Sequence, residues 1–283
     1  MEIIEYVENK FEKIQSKTIF SLFAIIVLGF VIRIYFTPWD LPTNSSDSFI
    51  LMIEGVAYSE GDFSYLSHRS FWPLFLSGFF SLFKFDDYFG YMTLVRIISI
   101  SVSLATIPIV YLISKEFVKK KYALLAAVLF TLESNLIENS IFGQTESLFI
   151  LLGLTSFYFI LQKNPKYQLL AFVFAGLAFE TRINGIVLIL LVIFAITIKI
   201  KNKENSIKKL MFGIILFLLV ISPTHIIYPI LEDKPMFQFL ETVAITILED
   251  QKHYSTYKSA ENISAIEIIF NAIKNEFSHI IRI

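Results

Sequence analysis

A chain of 283 residues that is 55% hydrophobic and 16% aromatic but only 17% charged falls well short of the roughly 25% charge of an ordinary soluble domain. Its net charge of −1 argues against a polyanionic partner such as nucleic acid, and the absence of cysteine excludes disulfides and thiol catalysis. The charges gather between long uncharged runs, the pattern of an all-α integral membrane protein with many spans.

The first 17 residues carry four acids and three lysines, without the basic start and small-residue cleavage site of a secretory signal. Ile3, Ile4, Val7, Phe11 and Ile14 recur at helical spacing, so residues 1–17 read as a cytoplasmic amphipathic N-terminus on the membrane surface. Seven apolar segments follow, at roughly 18–36, 92–114, 122–138, 147–161, 168–180, 185–198 and 210–230. The loops SKEFVKKKY, QKNPKY and KIKNKENSIKK hold 11 of the 24 Lys and Arg. The positive-inside rule assigns these loops to the cytoplasm, with the N-terminus inside and the C-terminus outside. Residues 18–230 then form a transmembrane module of about seven helices, with a first outer loop at 37–91. Residues 231–283 form an extracytoplasmic helical tail, with a capping box in SAIE at 264–267. Sequons at Asn44 and Asn262 fall on the outer side.

In the first outer loop, TNSSDSFILMIEGVAYSEGDF (43–63) predicts a short helix starting at Asp47. Phe49, Met52, Ile53 and Val56 are expected on one face, with Asp47 and Glu54 two turns apart on another. An acid at Asp47 suits the helix dipole, and a carboxylate at the membrane surface also suits a general base acting on a hydroxyl. The run SFWPLFLSGFFSLF (70–83) is too short to cross and has Pro73 placed for a first turn, so it reads as a helix lying in the outer interface. Asp86 and Asp87 read as a solvated turn.

The fifth and sixth segments share only the 31 residues from Gln168 to Ile198, where two full crossings need about 40. Their tip, ETRING, is therefore expected within the outer half of the membrane, lining something wet, and NSIFGQTES between the third and fourth segments behaves similarly. Glu146 and Arg182 sit on these two outer turns. Two readings stand side by side. Arg182 pairs with Glu146 or Glu180 as helix-packing glue, or its planar guanidinium binds a phosphate. The four histidines, His68, His225, His253 and His279, lack metal-ligand spacing, and no Walker, Rossmann or nucleophile-elbow motif occurs.

Three stretches, SSDSFILMIEGVAYSEGDFSYLSHRSFWPLF, IFGQTESLFILLGL and GLAFETRINGIVLI, occur in this order around the spans. Together they resemble the GT-C superfamily of polytopic glycosyltransferases over about residues 40–195. The likeness is to GPI mannosyltransferases of the second-mannose type and to dolichyl-phosphate-mannose-dependent protein mannosyltransferases. Asp47, Glu146, Arg182, Asn184 and Gly185 fall on the family's motif positions, while Ser46 stands where Trp is usual and Ile183 where Ser is usual.

The resemblance implies a GT-C module with an extracytoplasmic active site in the plasma membrane or endoplasmic reticulum. It implies inverting transfer of a hexose, mannose by expectation, from a polyprenyl- or dolichyl-phosphate donor to a glycan, glycolipid or protein acceptor. Asp47 is then the catalytic base, and Glu54, Glu146, Arg182 and Asn184 are substrate-binding residues. No metal ligands are assigned; a divalent metal is compatible with the chemistry and not required by it. Many relatives continue beyond seven spans, so a truncated tail is one expectation. A lipid-linked-sugar flippase or a catalytically silent scaffold subunit would also keep the helices.

Overall fold

The computed structural model describes residues 2–41, 46–64, 66, 71–202 and 206–231. The apolar stripe read on side chains 3–14, the two sequons, three of the four histidines and the tail beyond 231 lie outside the described side chains. A first compact unit runs to Ser222 and a second begins at Pro223. The first contains α1 (Glu2–Phe36), α2 (Ser46–Ser59), α3 (Phe71–Phe80), α4 (Tyr88–Phe117) and α5 (Lys120–Leu132). It continues with α6 (Ser134–Ile141), α7 (Glu146–Leu161), α8 (Pro165–Thr181), the 3₁₀ turn Ile183–Gly185, α9 (Ile186–Lys201) and α10 (Ile207–Ser222). The second unit is described as a π-helical turn, Pro223–Ile227, followed by α11 (Tyr228–Leu231).

All seven apolar segments fall on helices, but their lengths differ. Lys17–Phe36, Tyr88–Phe117, Ile183–Lys201 and Ile207–Ile230 are long and apolar enough to cross a membrane. The third segment, expected as one span over 122–138, is instead broken: α5 and α6 meet at Glu133 with a 52° bend, and only together do they qualify. Glu133 takes an extended backbone, and its carboxylate accepts the Leu136 N–H at 2.7 Å, so it ends one helix and caps the next. The α7 and α8 helices, at 16 and 17 residues, stop short of the roughly 20 that a full crossing needs. α3 has only 10 residues, about 15 Å of helix.

Local sequence explains the remaining boundaries. Asp87 caps α4 by accepting the Gly90 N–H at 2.9 Å. In the loop QKNPKY, Asn164 accepts the Lys166 N–H at 3.0 Å and Pro165 occupies the first helical position of α8. The C-terminal carbonyls of α7 are met by two later helices: Lys199 Nζ donates to Ile160 O and, at 3.3 Å, to Gln162 O, and Gln168 Nε2 also donates to Gln162 O.

α4 is the spine of the first unit. Its Met92, Val95, Ile98 and Val102 pack in one apolar cluster with Leu51 and Met52 of α2, Trp72, Leu76 and Phe80 of α3, Leu148 and Leu152 of α7, and Ala178 of α8. Further along, Ile107 and Tyr111 join Ile25 of α1 and Ala123 and Ala127 of α5. Between the two clusters lies a buried cation. Arg33, fully excluded from solvent, donates to Ser103 Oγ at 3.0 Å, Ser140 Oγ at 3.1 Å and the Thr131 carbonyl at 3.4 Å, tying α1 to α4, α5 and α6. The break at Glu133 leaves that Thr131 carbonyl at the end of α5, and the guanidinium occupies the negative end of the helix.

α2 starts at Ser46, one residue before the expected Asp47, and the apolar residues expected on one face are unequally buried. Phe49 and Ile53 are exposed, while Ser48, Leu51, Met52 and Tyr58 are buried. Gly55 lets this face approach α3 closely: a Cβ there would lie 3.0 Å from Phe80 and 3.3 Å from Leu76.

Candidate active site

Three chain segments converge above the larger apolar cluster. The first is the N-terminal turn of α2. There Asp47 is exposed and Ser48 is buried, and the helix start favours an acid by its dipole.

The second is the turn from α6 into α7. Gly143 adopts φ +70°, a left-handed conformation that costs glycine little, and a Cβ there would lie 2.6 Å from Val95. This tight turn delivers Gln144, Thr145 and Glu146, with Glu146 as the first residue of α7.

The third is the turn after α8. Arg182 leaves the helix in an extended conformation while its N–H still donates to Ala178 O at 2.9 Å. Its own carbonyl accepts the Gly185 N–H at 2.9 Å, which folds residues 182–185 back onto the helix. Gly185 allows that closeness, because a Cβ there would sit 2.5 Å from backbone atoms of Phe179. Backbone cannot swing aside as a flexible side chain can. Gly185→Ala is therefore expected to displace the turn and cost about 1–3 kcal/mol, read as a lower melting temperature of the solubilised protein. A melting temperature equal to wild type would show that the turn accommodates the methyl group.

Asp47, Ser48, Leu51, Gln144, Thr145, Glu146, Arg182, Ile183 and Asn184 line one open cavity of about 220 Å³. Four of the five site residues expected from sequence thus meet there, although up to 137 positions separate Asp47 from Asn184 in the chain. Glu54 is the exception. It lies two turns along α2, about 10 Å up the helix axis, half-buried and outside the cavity wall.

Arg182 forms an ion pair with Glu146 and donates to Thr145 Oγ1 at 3.2 Å, so the second and third segments are locked together. About a third of the Arg182 side chain remains exposed, and its contacts among the described residues engage Nη1 alone. Among the described residues, the Nε–H and Nη2 groups are thus left as a planar donor edge. The wall presents this cation, two carboxylates, two amides and two hydroxyls over the apolar side chains of Leu51 and Ile183. Such a set can hold an anionic group at the guanidinium, hydrogen-bond a polyhydroxylated ring, and accept a proton at a carboxylate.

Gln144, Thr145 and Ser48 were not singled out from sequence, though each lies within two positions of a residue that was. Arg96 and Arg33 were also passed over. Their signal was a lone arginine in an apolar run, in TLVRIIS and FVIRIYF, where burying a charge requires a specific partner.

Against known proteins, no curated sequence and no solved structure matches the chain. A family model does: residues 69–228, more than half of the chain, match the dolichyl-phosphate-mannose-protein mannosyltransferases. That stretch includes Glu146, Arg182 and Asn184 and begins after Asp47 and Glu54. By the extent of this match, the chain belongs to the dolichyl-phosphate-mannose-protein mannosyltransferase family, a glycosyltransferase family of the GT-C type.

Proposed function

We propose that this protein transfers a hexose, with mannose the first candidate, from a polyprenyl- or dolichyl-phosphate sugar to an acceptor hydroxyl on the extracytoplasmic side, inverting the anomeric centre. The observation that carries the reading is the meeting of Asp47, Glu146, Arg182 and Asn184 around one cavity.

In the proposed step, the acceptor oxygen attacks the anomeric carbon as the bond from that carbon to the phosphate oxygen breaks. The acceptor proton passes to the Asp47 carboxylate, and the lipid phosphate leaves with the bonding electron pair and one additional negative charge. Phosphate needs no protonation to leave, but its growing charge needs stabilising, and the open edge of Arg182 supplies fixed donors for it. Glu146 and Thr145 hold the guanidinium from the other edge, so it is oriented before the donor arrives. Asn184 and Gln144 provide neutral donors and acceptors for sugar hydroxyls.

The proposed side of the reaction rests on the basic loops. The short helices α7 and α8 support a cavity sunk below the outer surface, where a phosphate anchored by a lipid tail can reach Arg182. Sealed vesicles test activity and side together. With polyprenyl-phosphate mannose in the membrane and a water-soluble acceptor added outside, right-side-out vesicles should transfer and inside-out vesicles should not. Transfer only in inside-out vesicles would invert the topology; movement of donor across the bilayer without transfer would favour a flippase.

A further inference from the structure

A buried arginine outside the cavity lining holds the turn at residues 38–41, ahead of α2. Arg96 of α4 is 1% exposed, and its guanidinium donates to the Pro38 carbonyl at 2.8 Å and the Leu41 carbonyl at 2.7 Å. These carbonyls belong to the turn that begins the first outer loop, which the second of them ends six residues before Asp47. The turn is closed on itself as well: Thr37 Oγ1 donates to Arg33 O at 2.6 Å, Trp39 Nε1 to Ile34 O at 3.2 Å, and Leu41 N to Pro38 O at 3.3 Å.

The same face of α4 also packs against the turn that presents Glu146. Val95 fills the space against Gly143, and Ser99 Oγ donates to the hydroxyl of Ser147, the neighbour of Glu146, at 3.1 Å. Val95, Arg96 and Ser99 lie at i, i+1 and i+4, so one helix face sets both the approach to Asp47 and the turn presenting Glu146.

We propose that Arg96 is a positioning residue for transfer, fixing the turn at residues 38–41 so that Asp47, which opens α2 a few positions later, is held at the cavity. This rests on the reading of Asp47 as the base. A guanidinium suits the task because its planar fork can hold two carbonyls at once, whereas a lysine ammonium offers one compact charged head. A base displaced by about 1 Å can lose on the order of 100-fold in rate without losing substrate.

The test compares wild type, Arg96→Lys and Arg96→Met in the vesicle transfer assay, each alone and combined with Asp47→Asn. Arg96→Met is expected to lower kcat by about tenfold or more while the donor KM moves by less than about threefold, with Arg96→Lys intermediate. On the Asp47→Asn background, Arg96→Met should change the residual rate by less than about twofold, because it acts through the missing base. An equal fall on both backgrounds, or an unchanged kcat in both single variants, overturns the proposal.

A second readout needs neither activity nor Arg96→Met. The chain has no native cysteine, so Asp47→Cys reports on its own position through thiol labelling. Adding Arg96→Lys should change that labelling rate by about threefold or more, while a control cysteine at the exposed Ser81 keeps its rate. An unchanged rate at position 47 overturns the positioning role. Full transfer by Asp47→Asn would remove the base reading instead, and the labelling result would still decide whether Arg96 holds the loop.

Discussion

Asp47→Asn is expected to lower sugar transfer by about 10²–10⁴ while leaving the protein folded and donor binding nearly intact. Asp47 is exposed in the first turn of α2. The amide has the same size, and loss of the charge at the helix start costs only about 0.3–1 kcal/mol. What disappears is the capacity to accept the acceptor proton. The expected signature is therefore a fall in kcat with little change in the donor KM or melting temperature. Retention of more than about half of wild-type transfer would place the base elsewhere. Glu146 is a poor substitute because Arg182 already holds its carboxylate, and Glu54 lies outside the cavity wall. Glu54→Gln should accordingly leave transfer within about twofold of wild type; a loss as large as that of Asp47→Asn would move the base to Glu54.

The parts of the site legible in the sequence were those where chemistry conflicts with surroundings. A carboxylate, an arginine and an asparagine inside apolar runs are expensive at bilayer depth unless they face a cavity or a partner, and Glu146, Arg182 and Asn184 do face one. Hydrophobic periodicity was a poorer guide. It grouped Phe49, Met52, Ile53 and Val56 on one face of α2, yet Phe49 and Ile53 are exposed while Met52 is buried, and Gly55 lies close against α3. In an apolar solvent, lipid-facing and protein-facing residues are equally hydrophobic, so small residues, more than large ones, mark where helices meet.

The break at Glu133 was hidden for a related reason. The segment is apolar enough on both sides to read as one span, and only a side chain capping the next helix reveals the bend. Arg33 and Arg96 escaped notice because their partners are serine hydroxyls and backbone carbonyls contributed by distant segments, and no carboxylate nearby in sequence advertises them.

Arg182 has two roles to separate, because the same guanidinium that faces the cavity also joins α7 to the turn after α8. If it binds the donor phosphate, Arg182→Lys keeps the charge and loses the planar edge. A charged hydrogen bond is worth about 1.5–3 kcal/mol, so the donor KM should rise by about 10–100-fold. The melting temperature should fall little, since the lysine can still meet Glu146. If Arg182 served only to hold the helices, the main effect would be on stability. Arg182→Met would leave Glu146 and Thr145 without their cation, and adding Glu146→Gln would recover part of the lost stability by removing the orphaned charge. A double-mutant cycle read in both melting temperature and donor affinity separates these outcomes. Both roles together predict coupling in each readout, with donor affinity falling further for Arg182→Met than for Glu146→Gln, because only the arginine meets the phosphate. Coupling confined to melting temperature, with donor affinity unchanged in every variant, would remove Arg182 from the donor site and leave it as the tie between two short helices.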